Sequence, residues 1–224
     1  MLEDEILKNY IFDLDGTLFQ ADLVAIPAFK QTFARLRKEG LYAGQPPKRE
    51  QLLSMFGHTL DNIWDQILPD TEATVKTKAD DYMIYYEQKY IDDGNGKLYE
   101  GTEQLLQHLK ANGKRLFVAS NGAEAYVKHV VHRMQIAQYF DKVYSAGEFN
   151  TSTKVDLVDR IITDYQLKND ITCMIGDRET DIEAGVKNSL MSIGCLYGYA
   201  RDEQEFEQAN YKIKEISDVT KISI

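Results

Sequence analysis

Tyr10-Ile11-Phe12-Asp13-Leu14-Asp15-Gly16-Thr17 is the stretch on which the reading of this chain turns. Three apolar, strand-favouring residues run straight into a turn that carries two carboxylates and a glycine. A strand needs partners, and the segment that follows does not supply them. From residue 21 to about residue 90 the apolar spacing is helical throughout, with breaks near Gly40, residues 44–47, Gly57 and Pro69. After Asp93-Gly94-Asn95-Gly96 the texture changes. Leu105, Leu106 and Leu109 mark a helix that Gly113 ends, and Leu116-Phe117-Val118-Ala119 follows as a buried strand. Val127, Val130, Val131 and Met134 fall on one helical face, and residues 142–145 read as a short strand. Val158, Ile161, Ile162 and Tyr165 repeat the helical spacing, residues 171–175 read as a strand, 180–188 as a helix and 190–196 again as a strand. Alternation from residue 98 onward predicts a parallel sheet with helices on both faces, and the first strand must join it. The expectation is an α/β fold: a Rossmann-like core built from residues 1–19 and 94–224, with an all-helical cap, residues 20–93, inserted after the first strand.

Composition narrows the function classes. The chain has 224 residues, 43% hydrophobic and 28% charged, too apolar for disorder. Lys and Arg total 26 against 36 Asp and Glu, a net charge of −10 that repels nucleic acid and anionic membrane at long range. No apolar run is long enough to span a bilayer, and Met1-Leu2-Glu3-Asp4-Glu5 is acidic where a signal peptide is basic. Cys173 and Cys195 sit inside apolar runs and read as small core residues. A cytoplasmic protein, monomer or homodimer, is expected.

Three polar clusters follow strands directly: Asp13 to Thr17, Ser120-Asn121-Gly122, and Gly176-Asp177-Arg178-Glu179-Thr180-Asp181. In an open α/β sheet the carboxyl ends of the strands form the ligand crevice, so all three are expected to face one site. Asp13 and Asp15, two apart in an extended segment, point to the same side. Taken alone they are also what a solvated helix-capping turn contains. A calcium loop is excluded, because its twelfth position is Val24, and a second acidic run has Ile182 where such a loop needs glycine. Carboxylates clustered at a sheet edge suit Mg²⁺, which completes its shell with water and phosphate. Ser120-Asn121-Gly122, an ordinary turn by itself, offers between strand and helix a hydroxyl, an amide and free N–H groups for an anion. Lys154 opens a helix behind the capping candidates Ser152 and Thr153.

Asp13-Leu14-Asp15-Gly16-Thr17, Ser120-Asn121, Lys154 and Gly176-Asp177 with Asp181 resemble, in order, the four motifs of the haloacid dehalogenase-like superfamily. The helical insertion and the tail from Ser192 to Tyr199 resemble its phosphoglycolate phosphatase-like branch. The resemblance implies a Mg²⁺-dependent phosphatase acting on a small phosphorylated metabolite through an aspartyl-phosphate. It makes Asp13 the nucleophile and Asp15 the acid–base. It gives Mg²⁺ to Asp13, Asp15 (by its carbonyl), Asp177 and Asp181, and the phosphoryl oxygens to Ser120, Asn121 and Lys154. The chain departs from the branch in having Val155, not proline, after the lysine, and Ser-Asn-Gly also occurs in dehalogenases and nucleotidase-like members. The substrate alternatives are therefore phosphoglycolate, a 5′-nucleotide or a sugar phosphate. A 2-haloacid dehalogenase disagrees with Asp15, a phosphomutase would differ only in the cap, and a phosphonate hydrolase needs a buried cap lysine that nothing among Lys30, Lys38 and Lys48 marks. A binding protein on the same fold would not require every catalytic position. In the cap, His58 at a helix break is a candidate substrate contact, as is Phe19 beside the first motif. Tyr82, Tyr85, Tyr86 and Tyr90 read as cap packing.

Overall fold

Asn9–Phe12 forms strand β1, buried on both faces, as the unbroken apolar run requires. The computed structural model describes residues 7–222; the acidic first residues lie outside that range. Four helices follow: α1 (Asp22–Lys38), α2 (Arg49–Met55), α3 (Leu60–Ile67) and α4 (Ala73–Asp92). The breaks between them fall at the glycines and prolines read from the sequence. The chain then runs α5 (Thr102–Ala111), β2 (Arg115–Ser120), α6 (Glu124–Arg133), β3 (Lys142–Ser145), α7 (Ala146–Phe149), α8 (Lys154–Tyr165), β4 (Thr172–Gly176), α9 (Glu179–Lys187), β5 (Met191–Cys195) and β6 (Tyr211–Ile213). All five strand pairings are parallel and the order is β3-β2-β1-β4-β5-β6.

Strand order reverses at β1, which pairs with β2 on one side and β4 on the other, Phe12 standing opposite Val118 and Ile175. The carboxyl ends of these three strands therefore meet at the crevice where such sheets bind ligands. The helical insertion leaves and rejoins the sheet at one place. Phe19 bridges Asp15 and Leu98 through the backbone, and Gln20 N–H donates to the Lys97 carbonyl at 2.9 Å. Within the insertion α1 packs along α4, and Phe29 meets Trp64 edge to face at 5.4 Å. The Trp64 indole N–H donates to Asp80 Oδ1, which satisfies the polar end of a fully buried ring. Cys173 and Cys195 are free and buried. Among the described residues, no helix is long and apolar enough to cross a membrane.

Two elements escape the sequence reading. The four-residue helix α7 is too short to show a period, and the three-residue strand β6 has two exposed side chains. β6 is held at the sheet edge by its pairing with β5 and by Asn210, which donates its N–H to the Ser192 carbonyl and accepts the Ser192 N–H. The preceding 3₁₀ turn, Glu203–Phe206, sets the Phe206 ring above Gly194 of β5. A β-carbon at Gly194 would lie 2.4 Å from that ring, so glycine and phenylalanine are fitted to each other. Phe206→Ala is expected to cost about 3–5 kcal/mol, read as a lower urea midpoint with unchanged slope.

Candidate active site

Asp13 is the first residue past β1 and Asp177 the first past β4, so the register of two neighbouring strands brings both carboxylates to one point. Asp181 reaches the same point from the first turn of α9. There its Oδ2 accepts the Arg178 N–H at 3.1 Å and caps the helix. One oxygen from each of Asp13, Asp177 and Asp181 lies within 4.8 Å of the others, and all three residues are buried.

Lys154 is the counter-charge. Thr153 caps α8 by accepting the Asp156 N–H, which fixes the helix start and aims Lys154 inward. Its Nζ donates to Asp13 Oδ1 at 2.5 Å and to the Ala119 carbonyl at 2.8 Å, and stands 3.2 Å from Asp181 Oδ1. The first turn of a helix is unfavourable for a cation, and a buried lysine is costly unless paired, so this placement answers to the aspartates. Burial would lower the Lys154 pKa, but Asp13 and Asp181 outweigh it and hold the ammonium charged.

Asp177 is clamped from both sides: the Thr17 hydroxyl donates to Oδ1 at 3.2 Å and the Tyr199 N–H to Oδ2 at 2.6 Å. Two glycines make room for it. A β-carbon at Gly16, whose φ is +86°, would fall 2.2 Å from Asp177 Oδ2, and one at Gly198 would fall 2.2 Å from the Asp177 β-carbon. The Tyr197 hydroxyl donates to the Thr17 carbonyl and ties the tail to the first loop.

Burial pushes Asp13, Asp15 and Asp177 above the ordinary carboxylate range, with Asp15 reaching about 6. Lys154 opposes the shift at Asp13, and the Tyr126 hydroxyl, donating to Asp15 Oδ1 at 2.7 Å, opposes it at Asp15. Negative charge here exceeds what one lysine balances, and Asp181 Oδ1 has no hydrogen-bond partner among the described residues. The donor set, all oxygen, fits a hard divalent cation, and such an ion reverses these pKa shifts by favouring the ionised carboxylates.

A cavity of about 70 Å³ opens above Asp13 and Asp15, lined also by Ser120, Asn121 and Lys154, with α1, α3 and α4 supplying its opposite side. Of the sequence-derived residues, Asp13, Asp15, Ser120, Asn121, Lys154 and His58 line it, while Asp177 and Asp181 are buried beside Asp13 and do not. Two details differ from expectation. The Asn121 amide donates across the cavity to the Gly57 carbonyl at 2.7 Å, joining the first turn of the β2–α6 connection to the insertion. Phe19 is fully buried at the junction of core and insertion, its ring against Gly96 and Met134, and does not line the cavity. His58 does line it, half-buried, with its pKa lowered by burial and by Arg178 and Arg201. Ser120 accepts the Gly122 N–H at 3.1 Å. Of the four tyrosines read as packing, Tyr82 donates to Glu39 and Tyr85 stands exposed against Tyr86.

Sequence context gives Tyr126 no functional signal, because it adjoins the Val127-Val130-Val131 stripe and reads as core. Tyr199 stands out in the sequence only as part of the tail, since its contact to Asp177 is made by the backbone, which carries no side-chain signature.

The profile of the haloacid dehalogenase-like hydrolases matches residues 10–195. A phosphoglycolate phosphatase of Aquifex aeolicus is 23% identical over 222 residues, 96% of each chain. A 5′-nucleotidase of Pseudomonas aeruginosa is 23% identical over 199 residues, 88% of this chain and 86% of its own. The crystal structure of a predicted phosphatase from Clostridium acetobutylicum superposes with a TM-score of 0.82 at 28% identity, covering 96% of this chain and 97% of that one.

Gly16→Ala is expected to lower stability by about 1–3 kcal/mol, through its left-handed backbone and its collision with Asp177. Melting curves with and without Mg²⁺ check this: the rise in Tm on adding the ion should shrink along with the Tm itself.

Proposed function

The chain belongs to the haloacid dehalogenase-like hydrolase family, and we propose that it is a Mg²⁺-dependent phosphatase that cleaves a small phosphomonoester through an aspartyl-phosphate. The observation that carries this reading is the Asp13 carboxylate on the cavity wall, held by Lys154 at 2.5 Å, with Asp177 and Asp181 buried beside it. In this reading residues 1–19 and 94–224 are the catalytic core, and residues 20–93 the cap that shelters it.

Asp13, Asp177, Asp181 and the Asp15 carbonyl would hold the ion, which would supply charge neutralisation at the phosphoryl oxygens. Lys154 fixes the free-standing Asp13 oxygen toward the substrate and, with Ser120 and Asn121, binds the phosphoryl group. An Asp13 oxygen forms a bond to phosphorus as the bond from phosphorus to the ester oxygen breaks. Asp15 gives its proton to that departing oxygen. Water then attacks phosphorus, its proton passes to Asp15, and the Asp13–phosphorus bond breaks to release phosphate. Tyr126 occupies Asp15 Oδ1, which leaves Oδ2 to carry the proton. A dehalogenase has no departing alkoxide to protonate, so Asp15 favours the phosphatase.

Phosphoglycolate, 5′-nucleotides and sugar phosphates are the substrate candidates, phosphoglycolate first by resemblance. The cavity of about 70 Å³, walled by Phe29, Phe56, Ile63 and Met83, favours a compact leaving group. A cytoplasmic setting is consistent with such a substrate.

Asp13→Asn should cut kcat on an aryl phosphate by about 10³-fold or more while the circular dichroism spectrum shows the protein still folded, and EDTA should abolish turnover that Mg²⁺ restores. Near-normal turnover in either experiment would remove the covalent step or the ion. Asp15→Asn should cost about 10²–10⁴-fold on an alkyl phosphate and clearly less on an aryl phosphate, whose better leaving group departs with little help. Equal losses on both would mean that Asp15 is not the acid.

A further inference from the structure

Helix α4 carries its apolar stripe at every fourth residue: Val75, Ala79, Met83, then Glu87, then Ile91. Four of the five are what the register calls for, and the fifth is a carboxylic acid. Glu87 is 6% exposed, between Met83 and Ile91 at 0% and 2%, and its carboxyl borders the cavity opposite Asp13 and Asp15. No hydrogen bond or ion pair reaches it among the described residues. Burial first, then the nearby acids Asp15 and Asp80, push its pKa well above the ordinary carboxylate range, and the Tyr126 hydroxyl lies close enough to interact with it. A leucine or methionine there would continue the stripe without burying an unpartnered polar group, so nothing in the packing calls for an acid. A rule broken on the wall of a ligand cavity points to the ligand.

The cavity's charges say which ligand. Lys154 is, among the described residues, the single Lys or Arg that lines it, and it is engaged by Asp13, Asp181 and the Ala119 carbonyl. His58 is the other candidate cation, and burial with Arg178 and Arg201 nearby favours its neutral form. Arg178 itself turns away, donating to the Phe56 carbonyl and pairing with Glu205 at 2.9 Å. A leaving group with its own carboxylate or second phosphate would thus meet acids and no uncommitted cation. A hydroxyl meets a partner in either protonation state of Glu87, because it can donate to a carboxylate or exchange donor and acceptor roles with the acid.

We propose that Glu87 selects the leaving group, so that the substrates are phosphate monoesters of small uncharged alcohols carrying a further hydroxyl, and anionic esters such as phosphoglycolate are disfavoured. The proposal rests on the phosphatase reading above and reverses the order of its substrate candidates, setting uncharged hydroxyl-bearing esters ahead of the phosphoglycolate that the resemblance puts first.

The matched pair 2-hydroxyethyl phosphate and phosphoglycolate tests it, since the two differ only in a CH₂OH against a carboxylate. The wild-type enzyme with Mg²⁺ should favour the hydroxyl ester in kcat/KM by at least about tenfold, because the carboxylate would enter a cavity that offers it no uncommitted cation. Glu87→Gln keeps the shape but can neither ionise nor exchange the acid proton with a hydroxyl, and should narrow that ratio by about threefold or more. An aryl phosphate assayed with the wild type separates the two readings. If no ester is hydrolysed, the phosphatase reading falls and this proposal with it. If the aryl ester is hydrolysed but phosphoglycolate is preferred over the hydroxyl ester, the role of Glu87 alone is overturned. That role is equally overturned if Glu87→Gln lowers the melting temperature and both activities together while leaving the ratio unchanged, because that is the signature of a structural residue.

Discussion

The rest of the structure is arranged around a shortage of positive charge. Asp13, Asp177 and Asp181 are taken out of water beside one ammonium group, Lys154, itself buried. Breaking such a pair by removing one partner leaves an uncompensated charge at a typical cost of about 3–5 kcal/mol. The fold can hold the cluster only because each oxygen's surroundings are specified: helix α9 is capped by Asp181, Asp177 takes donors from two loops, and Lys154 is aimed by Thr153. What remains unbalanced is what a divalent cation and a phosphoryl group would together bring to equilibrium.

That arrangement explains why distant parts of the chain are tied to the first loop. Tyr199 gives its backbone N–H to Asp177 and its hydroxyl to Asp22, where the helical insertion begins. Tyr197 reaches the Thr17 carbonyl, and Gly16 and Gly198 let two backbones close on a single carboxylate. The tail after β5 is therefore a support for the site as well as the end of the sheet. The insertion is also fastened from the core side: Asn121, Arg178 and Arg201 donate to the carbonyls of Gly57, Phe56 and Ser54. Three donors converging on one short stretch hold the α2–α3 connection against the core beside the cavity.

Legibility in the sequence followed the range of the physical signal. Five of the six strands were readable because parallel strands buried on both faces are continuous apolar runs, and the four helices of the insertion because their breaks carry glycine or proline. β6 and α7 are short and owe their form to contacts with β5 and β3, which leave no local pattern. At the site, the four polar clusters were legible because side-chain chemistry stands directly after a strand or at a helix start. Tyr126 was hidden in an apolar stripe, and the Tyr199 contact is a backbone donor. Phe19 adjoins the first motif in sequence, yet the turn through Gly16 carries its ring to the opposite side, into the core.

Two local-rule violations mark the chemistry more sharply than the motifs' composition does. A lysine in the first turn of α8 opposes the helix dipole, and a glutamate in the buried stripe of α4 opposes the hydrophobic register. Each would be replaced by a better-behaved residue if stability alone decided, since α8 would gain from an acid at its start and α4 from an aliphatic side chain. They stand on opposite walls of one cavity, Lys154 on the core side and Glu87 on the insertion. The core violation is compensated within the protein, by Asp13 and Asp181. The one on α4 has no internal compensation among the described residues, and a group that the fold leaves unpaired beside a cavity is one whose partner arrives from solution.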